Sequence, residues 1–355
     1  MLNGRKTRVL IVDDSAIVRK ILSDALAGEP DLEVVGTAPD PYIARDKILA
    51  LRPDVLTLDI EMPRMDGLTF LKKLMHFHPM PVVVISSVAQ PSCRIAVQAL
   101  ENGAVEVMAK PGGPYSVGEL GKSLAGKIRA AGHSRVKPPP RAPSAVPILM
   151  PPGGPPSTST NSILAIGAST GGTEAIVAVL RQLPANSPPI VIAQHIPPEF
   201  SRAFAARLND LCATEVREAS DGDTLHPGLV LVAPGDLHML LKKSAGRYSV
   251  AVKTGPRVCY QRPSVDVLFS SVAESAGAAA TGVILTGMGS DGAQGMLKMR
   301  QAGAYTIAQD EATCVVFGMP REAIGLNAVD QILPLHAIAN ALLSPKHARK
   351  SAAAS

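Results

Sequence analysis

Short apolar runs alternate with amphipathic segments along the first part of the chain. Segment 16–27, for example, places Ile17, Ile21, Leu22 and Leu26 on one face of a helix. Further helices are predicted at 43–51, 68–76 and 93–102. The apolar runs predict buried strands at 8–12, 32–36, 55–58, 82–85 and 105–109. Five strands that alternate with helices predict a parallel, doubly wound α/β sheet.

The second half of the chain repeats this alternation on a larger scale. Strands are predicted at 162–167, 189–194, 229–233, 281–285 and 305–308. Helices are predicted at 173–183, 199–211, 265–276 and 292–302. Segments 238–243 and 248–253 flank Ala-Gly-Arg, which indicates a β-hairpin. A second, larger parallel-sheet domain is therefore expected.

A segment rich in proline, serine and glycine separates the two regions. It includes PPP at 138–140 and PPGGPP at 151–156, a composition that predicts a semi-extended linker without a core. We therefore expect a first domain at 1–131, a linker at 132–161, a second domain at 162–345 and a disordered tail at 346–355.

The composition is that of folded globular domains, since 46% of the 355 residues are hydrophobic and 18% are charged. The formal net charge of +5 is not concentrated on a folded region. The linker carries Arg135, Lys137 and Arg141 and no acid, while the segments on either side are each within one charge of neutral. Nucleic-acid binding needs Lys and Arg clustered on a folded face, so we expect no nucleic-acid partner.

Cysteine and hydropathy patterns predict the compartment. The four cysteines, at 93, 212, 259 and 314, lack metal-ligand or redox-motif spacing, so free thiols are expected. The first apolar run stops at Asp13, too early for a signal peptide, and no run has the roughly 20 apolar residues of a membrane span. We expect a cytoplasmic monomer without membrane insertion.

Polar side chains follow the strands of the first region at their carboxyl ends. Asp13 and Asp14 follow the first strand, Asp59 the third, Ser86 the fourth and Lys110 the fifth. These ends converge on one crevice in such a sheet. Clustered carboxylates need a cation, and Mg²⁺ prefers oxygen ligands. Asp59 is then placed to attack a phosphoryl group, while Lys110 offsets its charge and Ser86 hydrogen-bonds to the product.

The joint pattern of 13–14 (DD), 59–67 (DIEMPRMDG), Ser86 and 110–111 (KP) resembles the response-regulator receiver family across residues 5–130. The resemblance implies a flavodoxin-like fold in which Asp59 is phosphorylated. It also implies that Asp14, Asp59 and the Glu61 backbone carbonyl hold Mg²⁺, with Asp13 assisting through water.

Val107 departs from that family's pattern. Many receivers have an aromatic residue three positions before the lysine, where this chain has Val107. We therefore expect signalling to use Ser86 and the loop after it, and not the rotation of an aromatic ring.

A serine lies at a glycine-rich turn where the second region passes from its first strand to its first helix. The turn, GASTGG at 167–172, places Ser169 in a nucleophile-elbow arrangement. The helix N-terminus supplies amides and positive potential for an oxyanion. Nucleotide binding is the alternative, but the spacing does not fit G-x-G-x-x-G, and no acidic ribose ligand ends the next strand.

Two further polar residues follow strands of the same region. His195 ends the next strand and is the predicted general base. Asp291 lies beyond strand 281–285, where its carboxylate would fix the histidine tautomer; a helix N-cap is the alternative for this residue. The chain order Ser–His–Asp differs from that of α/β-hydrolases and indicates a separate hydrolase lineage.

Five segments together resemble the catalytic domain of the chemotaxis methylesterase family across residues 162–342. They are GASTGG at 167–172, QH at 194–195, APGD at 233–236, RPSVD at 262–266 and GMGSDG at 287–292. The resemblance implies a Rossmann-like three-layer domain in which Ser169, His195 and Asp291 form a triad. The backbone amide of Met288 falls on an oxyanion donor, and Thr170 assists. Arg262 has two open interpretations, a substrate contact or a structural salt bridge.

The two resemblances imply phosphorylation-activated hydrolysis of glutamate methyl esters on methyl-accepting chemotaxis receptors, with deamidation of glutamines. A chemotaxis histidine kinase would be the phosphodonor, and the receiver would cover the serine site until phosphorylated. Mg²⁺ would serve phosphorylation, and the esterase would need no cofactor. The alternatives are a DNA-binding regulator, which would need a small basic output domain, and a binding module with an inactive hydrolase fold, against which the intact triad argues.

Overall fold

The structure is a computed structural model that describes residues 5–110, 117–134 and 162–343. The chain divides into two compact units, residues 1–143 and 144–355, and each unit has its own parallel sheet. The predicted linker beyond residue 134 and the predicted tail at 346–355 lie outside the described residues.

The sheet of the first unit is parallel throughout. Its strands are β1 (Thr7–Val12), β2 (Leu32–Ala38), β3 (Val55–Asp59), β4 (Val82–Ser86) and β5 (Glu106–Ala109). They lie in the order β2-β1-β3-β4-β5. The chain passes from β1 to β2 on one side and then returns to β3 on the other. Ligands bind outside the carboxyl ends of strands at such a switch point, so β1 and β3 position the first site.

Side-chain caps fix where several helices of this unit begin. The described helices are α1 (Ala16–Ala27), α2 (Pro41–Leu51), α3 (Gly67–Phe77), α4 (Gln90–Glu101) and α5 (Val117–Gly132). Ser15, Asp40 and Asp66 accept amide hydrogen bonds in the first turns of α1, α2 and α3. In α1, Leu22 and Leu26 are buried, but Ile17, which the periodicity places on the same face, is 72% exposed.

The second unit contains a seven-stranded parallel sheet and a separate hairpin. Its strands are β6 (Ile163–Ala168), β7 (Ile190–Gln194), β8 (Glu215–Glu218), β9 (Leu229–Val232), β10 (His238–Ser244), β11 (Arg247–Lys253), β12 (Ala280–Ile284), β13 (Tyr305–Gln309) and β14 (Gln331–Leu333). The sheet order is β14-β13-β12-β6-β7-β9-β8, and β10 pairs with β11 as the predicted antiparallel hairpin. Strand β6 therefore lies between β7 and β12, so the segments that follow these three strands meet.

The helices of the second unit include two that the sequence did not predict. The described helices are α6 (Gly172–Leu180), α7 (Pro198–Leu211), α8 (Val265–Ala276), α9 (Ala293–Gln301), α10 (Met319–Gly325) and α11 (Leu335–Leu343). Helix α8 has the predicted bounds, and the first strand and first helix of the unit are shifted by up to three residues. Strands β6, β7, β9 and β12 are buried along their whole length, as expected for a parallel sheet covered on both faces. The predicted fold class, two doubly wound parallel α/β sheets, is confirmed.

Gly67 offers a test of packing in the first unit. A Cβ at this position would lie 2.0 Å from the backbone oxygen of Asp59. We expect Gly67→Ala to lower the free energy of unfolding of the first unit by about 2 kcal/mol or more, because the backbone cannot yield without strain. Urea unfolding of the full chain measures this.

The matched control is Gly126→Ala within α5, where a Cβ would have no neighbour within 4 Å. This variant should be as stable as the parent or more stable by up to about 1 kcal/mol, since alanine favours the helix. Equal stability of the two variants would contradict the packing argument.

Candidate functional site

Three aspartates come together at the carboxyl ends of β1 and β3. One carboxylate oxygen each from Asp13, Asp14 and Asp59 lies within 4.8 Å of the other two. Asp13 and Asp59 are buried, whereas Asp14 is exposed. The Oδ2 atom of Asp13 is buried and accepts no hydrogen bond from the described residues. A set of hard oxygen ligands with one orphaned acceptor fits Mg²⁺.

Lys110 lies against these carboxylates. Its Nζ is 2.7 Å from Asp59 Oδ2 and 3.6 Å from Asp13 Oδ2. Burial raises the pKa of Asp59 to about 6, although hydrogen bonds from Lys110 and from the Glu61 amide oppose the rise. Burial likewise raises the pKa of Asp13. The carboxylates therefore carry a desolvation cost that a bound cation would offset.

The other predicted residues of this site connect it to the start of α4. The Glu61 carboxylate accepts hydrogen bonds from Ser92 and, at 3.2 Å, from Ser87 Oγ. The Ser86 hydroxyl is buried and lies 3.4 Å from the Ser92 carbonyl oxygen. A hydroxyl that turned toward a phosphoryl group on Asp59 would give up this contact with α4. Val107, in place of an aromatic residue, is buried in β5.

Ser169 lies at the carboxyl end of β6, between the segments that follow β7 and β12. Residues Ala168 and Gln194 are paired across β6 and β7. The amide of His195 donates to Ala168 O at 3.1 Å, and the amide of Ser169 donates to Thr286 O at 3.0 Å. Because neighbouring strands are about 4.8 Å apart, Ser169 and His195, each the next residue past a paired position, lie side by side.

Glycines allow the close approach of backbone around Ser169. Gly171 has a φ of 74°, which a residue with a Cβ adopts only with strain. A Cβ at Gly287 would lie 2.7 Å from the Cβ of Ser169 and 2.3 Å from Met319 Sδ. The glycines at these two positions are therefore required for the turn and for the loop beyond β12 that contacts it.

His195 and Asp291 form a short buried contact, with Nε2 2.7 Å from Asp291 Oδ2. Because an ionised carboxylate only accepts hydrogen bonds, Nε2 must carry the hydrogen. The other ring nitrogen, Nδ1, is buried and has no hydrogen-bond partner among the described residues. It therefore holds the lone pair that can accept a proton. In the serine protease template the ring nitrogens have the reverse assignment.

Asp291 is seated on the N-terminus of α8. Its Oδ1 accepts from Ser264 Oγ at 2.8 Å and from the Asp266 amide at 3.0 Å, and its Oδ2 accepts from the Val265 amide at 2.8 Å. Burial alone would raise the pKa of Asp291, but the contact with His195 and these amides lower the pKa below its ordinary value. The His195 contact, together with the amides at the positive end of the helix, keeps this buried carboxylate ionised.

The N-terminus of each of the helices α8 and α9 donates hydrogen bonds to a carboxylate from the start of the other helix. Asp291, just before α9, binds the N-terminus of α8, and Asp266, in the first turn of α8, accepts from the Gly295 amide of α9 at 2.6 Å. This reciprocal arrangement fixes the segment that carries Asp291 relative to α8.

The remaining predicted residues of the second site have distinct surroundings. The amide of Gly287 is bonded to Val316 O, whereas the amide of Met288 has no acceptor among the described residues. Thr170 is buried, and its carbonyl accepts from Thr286 Oγ1 at 3.0 Å. Arg262 donates through Nε and Nη2 to Asp236 Oδ1 at 3.0 and 2.8 Å. Of the two interpretations of Arg262, the structure favours the salt bridge.

Two side chains of this site were not among the predicted residues. Gln194 Nε2 donates to the carbonyls of both Ser169 and His195 at 2.9 and 3.1 Å, which ties the two segments together. Ser264 donates to Asp291. Gln194 precedes His195 and Ser264 lies in the RPSVD segment, so both belong to segments on which the family resemblance rests. The contacts that they make do not follow from a local sequence pattern.

Comparison with known proteins matches each unit to a protein family. The response regulator receiver domain family matches residues 9–119, and the CheB methylesterase family matches residues 164–342. The protein-glutamate methylesterase/protein-glutamine glutaminase 2 of Syntrophus aciditrophicus is 53% identical over 343 residues, which cover 95% of this chain and 98% of that protein. The corresponding protein of Salmonella typhimurium is 51% identical over 341 residues, covering 96% and 97%.

A solved structure agrees with this assignment. The crystal structure of the Thermotoga maritima CheB methylesterase catalytic domain is 39% identical with a TM-score of 0.51, and the match covers 52% of this chain and 98% of that one. A receiver domain followed by a methylesterase domain defines a response regulator with an enzymatic output domain. The chain belongs to the protein-glutamate methylesterase/protein-glutamine glutaminase family.

The helices in the described ranges give no candidate for a membrane span, since none combines the necessary length with sufficient apolar character.

The contact between Gly287 and Ser169 generates a prediction. Gly287→Ala should displace Ser169 and lower its rate of labelling by a fluorophosphonate about 100-fold, because small misplacements of a nucleophile are costly. Labelling kinetics of the full chain measure this.

The control is Gly325→Ala at the end of α10, where a Cβ meets nothing within 4 Å. It should label at the parent rate. Parent-rate labelling of Gly287→Ala would show that the close approach is not needed for reactivity.

Proposed function

We propose that the second unit hydrolyses glutamate γ-methyl esters of chemotaxis receptors, using Ser169 as nucleophile, and that phosphorylation of Asp59 activates it. The observation that supports this most is the His195–Asp291 contact, which leaves His195 Nδ1 without a hydrogen-bond partner among the described residues and able to accept a proton. The named relatives are protein-glutamate methylesterases and protein-glutamine glutaminases.

The first chemical step follows from this arrangement. Ser169 Oγ attacks the ester carbonyl while His195 Nδ1 accepts its proton, and the ionised Asp291 stabilises the imidazolium at Nε2. The carbonyl oxygen becomes an oxyanion. In the proposal the Met288 amide, which has no other acceptor among the described residues, donates to it, with Thr170 as the second donor.

The second step returns the enzyme to its starting state. The imidazolium of His195 gives its proton to the departing methoxide, so methanol leaves and an acyl-enzyme remains. Water, deprotonated by the same Nδ1, then attacks the acyl carbon and releases glutamate and the Ser169 hydroxyl. With a glutamine side chain, the same steps release ammonia, which accounts for a glutaminase activity.

The first unit supplies the regulation in this proposal. Asp59 Oδ accepts the phosphoryl group, and Lys110, 2.7 Å away, offsets its charge. Asp13, Asp14, Asp59 and the Glu61 carbonyl would hold Mg²⁺, which neutralises phosphoryl oxygens when bound. The phosphoryl group draws the Ser86 hydroxyl from the Ser92 carbonyl, and in the proposal this change at α4 activates the second unit. A chemotaxis histidine kinase is the proposed donor, and the proposal places the protein's action in the cytoplasm.

The nucleophile assignment is tested with Ser169→Ala. Methanol release from receptor membranes carrying radiolabelled methyl esters should fall by at least about 10³-fold, because no other group takes the place of the alkoxide. Ser270→Ala on α8 serves as the serine control and should keep the parent rate. Normal methanol release by Ser169→Ala would refute the assignment.

The regulatory assignment is tested with Asp59→Asn. Acetyl phosphate with Mg²⁺ should stimulate methanol release by the parent protein, and this stimulation should be absent from Asp59→Asn, because an amide cannot accept the phosphoryl group. Asp46→Asn, an exposed aspartate of α2, should respond like the parent. A phosphodonor response that persists in Asp59→Asn would place the acceptor elsewhere.

A further inference from the structure

We propose that Ser264 is a positioning residue for Asp291, and that His238 in turn fixes the backbone of Ser264. This inference rests on the proposed function of Asp291. It identifies two buried side chains outside the Ser169–His195–Asp291 set on which the rate of the chemical step depends.

The Ser264 hydroxyl has one proton, and its surroundings determine where that proton goes. Ser264 Oγ accepts from the Val267 amide at 3.3 Å, as the N-cap of α8, and lies 2.8 Å from Asp291 Oδ1. An amide can only donate and a carboxylate can only accept, so the hydroxyl must donate to Asp291. Ser264 is 1% exposed, so water cannot readily replace this bond.

The hydrogen bond from Ser264 controls the orientation of the Asp291 carboxylate relative to His195. Ser264 and the Asp266 amide hold Oδ1, and this directs Oδ2 toward His195 Nε2. Without the hydroxyl, the carboxylate keeps the Asp266 amide on Oδ1 and the Val265 amide on Oδ2, and it loses the third donor that limits its rotation about the Cβ–Cγ bond. The alignment of the His195 ring would then loosen while the nucleophile and the substrate surface stay in place.

His238 holds Ser264 from the opposite side. Its Nδ1 accepts from the Ser264 amide at 3.2 Å, and its Nε2 lies 2.9 Å from the Pro256 carbonyl oxygen. Because that oxygen only accepts, Nε2 carries the hydrogen and Nδ1 is free to accept. The ring is buried at the start of β10, so the hairpin outside the main sheet is connected to Asp291 through Ser264.

The test compares variants of Ser264 with a matched variant of the same helix. Ser264→Ala should lower kcat for methanol release from methyl-labelled receptor membranes about 10- to 100-fold, with KM changed less than about twofold, because substrate contacts are intact. Ser264→Gly, which preserves much of the helix cap, should show the same loss. Ser264→Thr, which retains the hydroxyl, should recover most of the parent rate.

Ser271→Ala separates positioning from stability. Ser271 is also buried in α8, donates to Leu268 O and accepts from the Leu241 amide at 2.9 Å, but it has no contact with Asp291 among the described residues. The Ser271→Ala variant should lose about as much thermal stability as Ser264→Ala does. Its kcat should stay within about twofold of the parent value. Equal kcat losses in the two variants would reduce Ser264 to a structural role and overturn the proposal.

The connection through His238 is tested by a double-mutant cycle. His238→Ala should lower kcat about tenfold, and His238→Asn, whose Oδ1 can replace Nδ1 as acceptor, should recover part of it. The double variant His238→Ala/Ser264→Ala should be no slower than Ser264→Ala alone, since both act through one bond. Fully multiplicative losses would contradict the connection.

The outcomes also distinguish this inference from the proposed function. If Ser169→Ala is inactive while folded Ser264→Ala and Ser264→Gly both release methanol at the parent rate, only the positioning role fails. If Ser169→Ala keeps the parent rate, the proposed function itself fails.

Discussion

The proposed chemistry of the second unit depends on the hydrogen bond between His195 Nε2 and Asp291 Oδ2. It requires an ionised carboxylate that is 2% exposed, and burying such a charge without partners costs several kcal/mol. The N-terminus of α8 compensates with two amides and a hydroxyl, so that the fourth bond can go to the histidine. The reciprocal hydrogen bonds between α8 and α9 then hold the amide donors of α8 and the Asp291 carboxylate in fixed relative positions.

Both units place their reactive groups according to one topological rule. Parallel strands bring the residues that follow them to a common edge, and the change of direction within each sheet leaves room there. In the first unit the strands β1, β3 and β5 are followed by carboxylates and a lysine, which suits a metal and a phosphoryl group. In the second, β6 and β7 are followed by an alcohol and an imidazole, with a carboxylate beyond β12, which suits acyl transfer. The architecture is shared, and the terminal residues determine the chemistry.

The sequence predicts the central strands and the positions of the proposed reactive residues because both follow from local patterns. Apolar runs locate β6 and β7, and the position of a polar residue directly after each run identifies Ser169 and His195. The short edge strands β8 and β14 and the short helix α10 lack a clear period and are not predicted, and helices α5 and α11 are not predicted either. Other features of the site depend on contacts between segments that are distant in the sequence. These features are the choice of the ring nitrogen that faces Asp291, the hydrogen bonds between Asp291 and the N-terminus of α8, and the contacts of Gln194 and Ser264. The exposure of Ile17 shows the same limit, since periodicity identifies a face but not what covers it.

Nitrogen-15 NMR of the imidazole ring of His195 in the full chain tests the central claim most directly. The claim predicts an unprotonated Nδ1 and a protonated Nε2 whose proton resonates far downfield, because it is shared with the Asp291 carboxylate, and this signal should disappear in Asp291→Ala. A protonated Nδ1 with a bare Nε2, or a downfield proton that persists in Asp291→Ala, would contradict it.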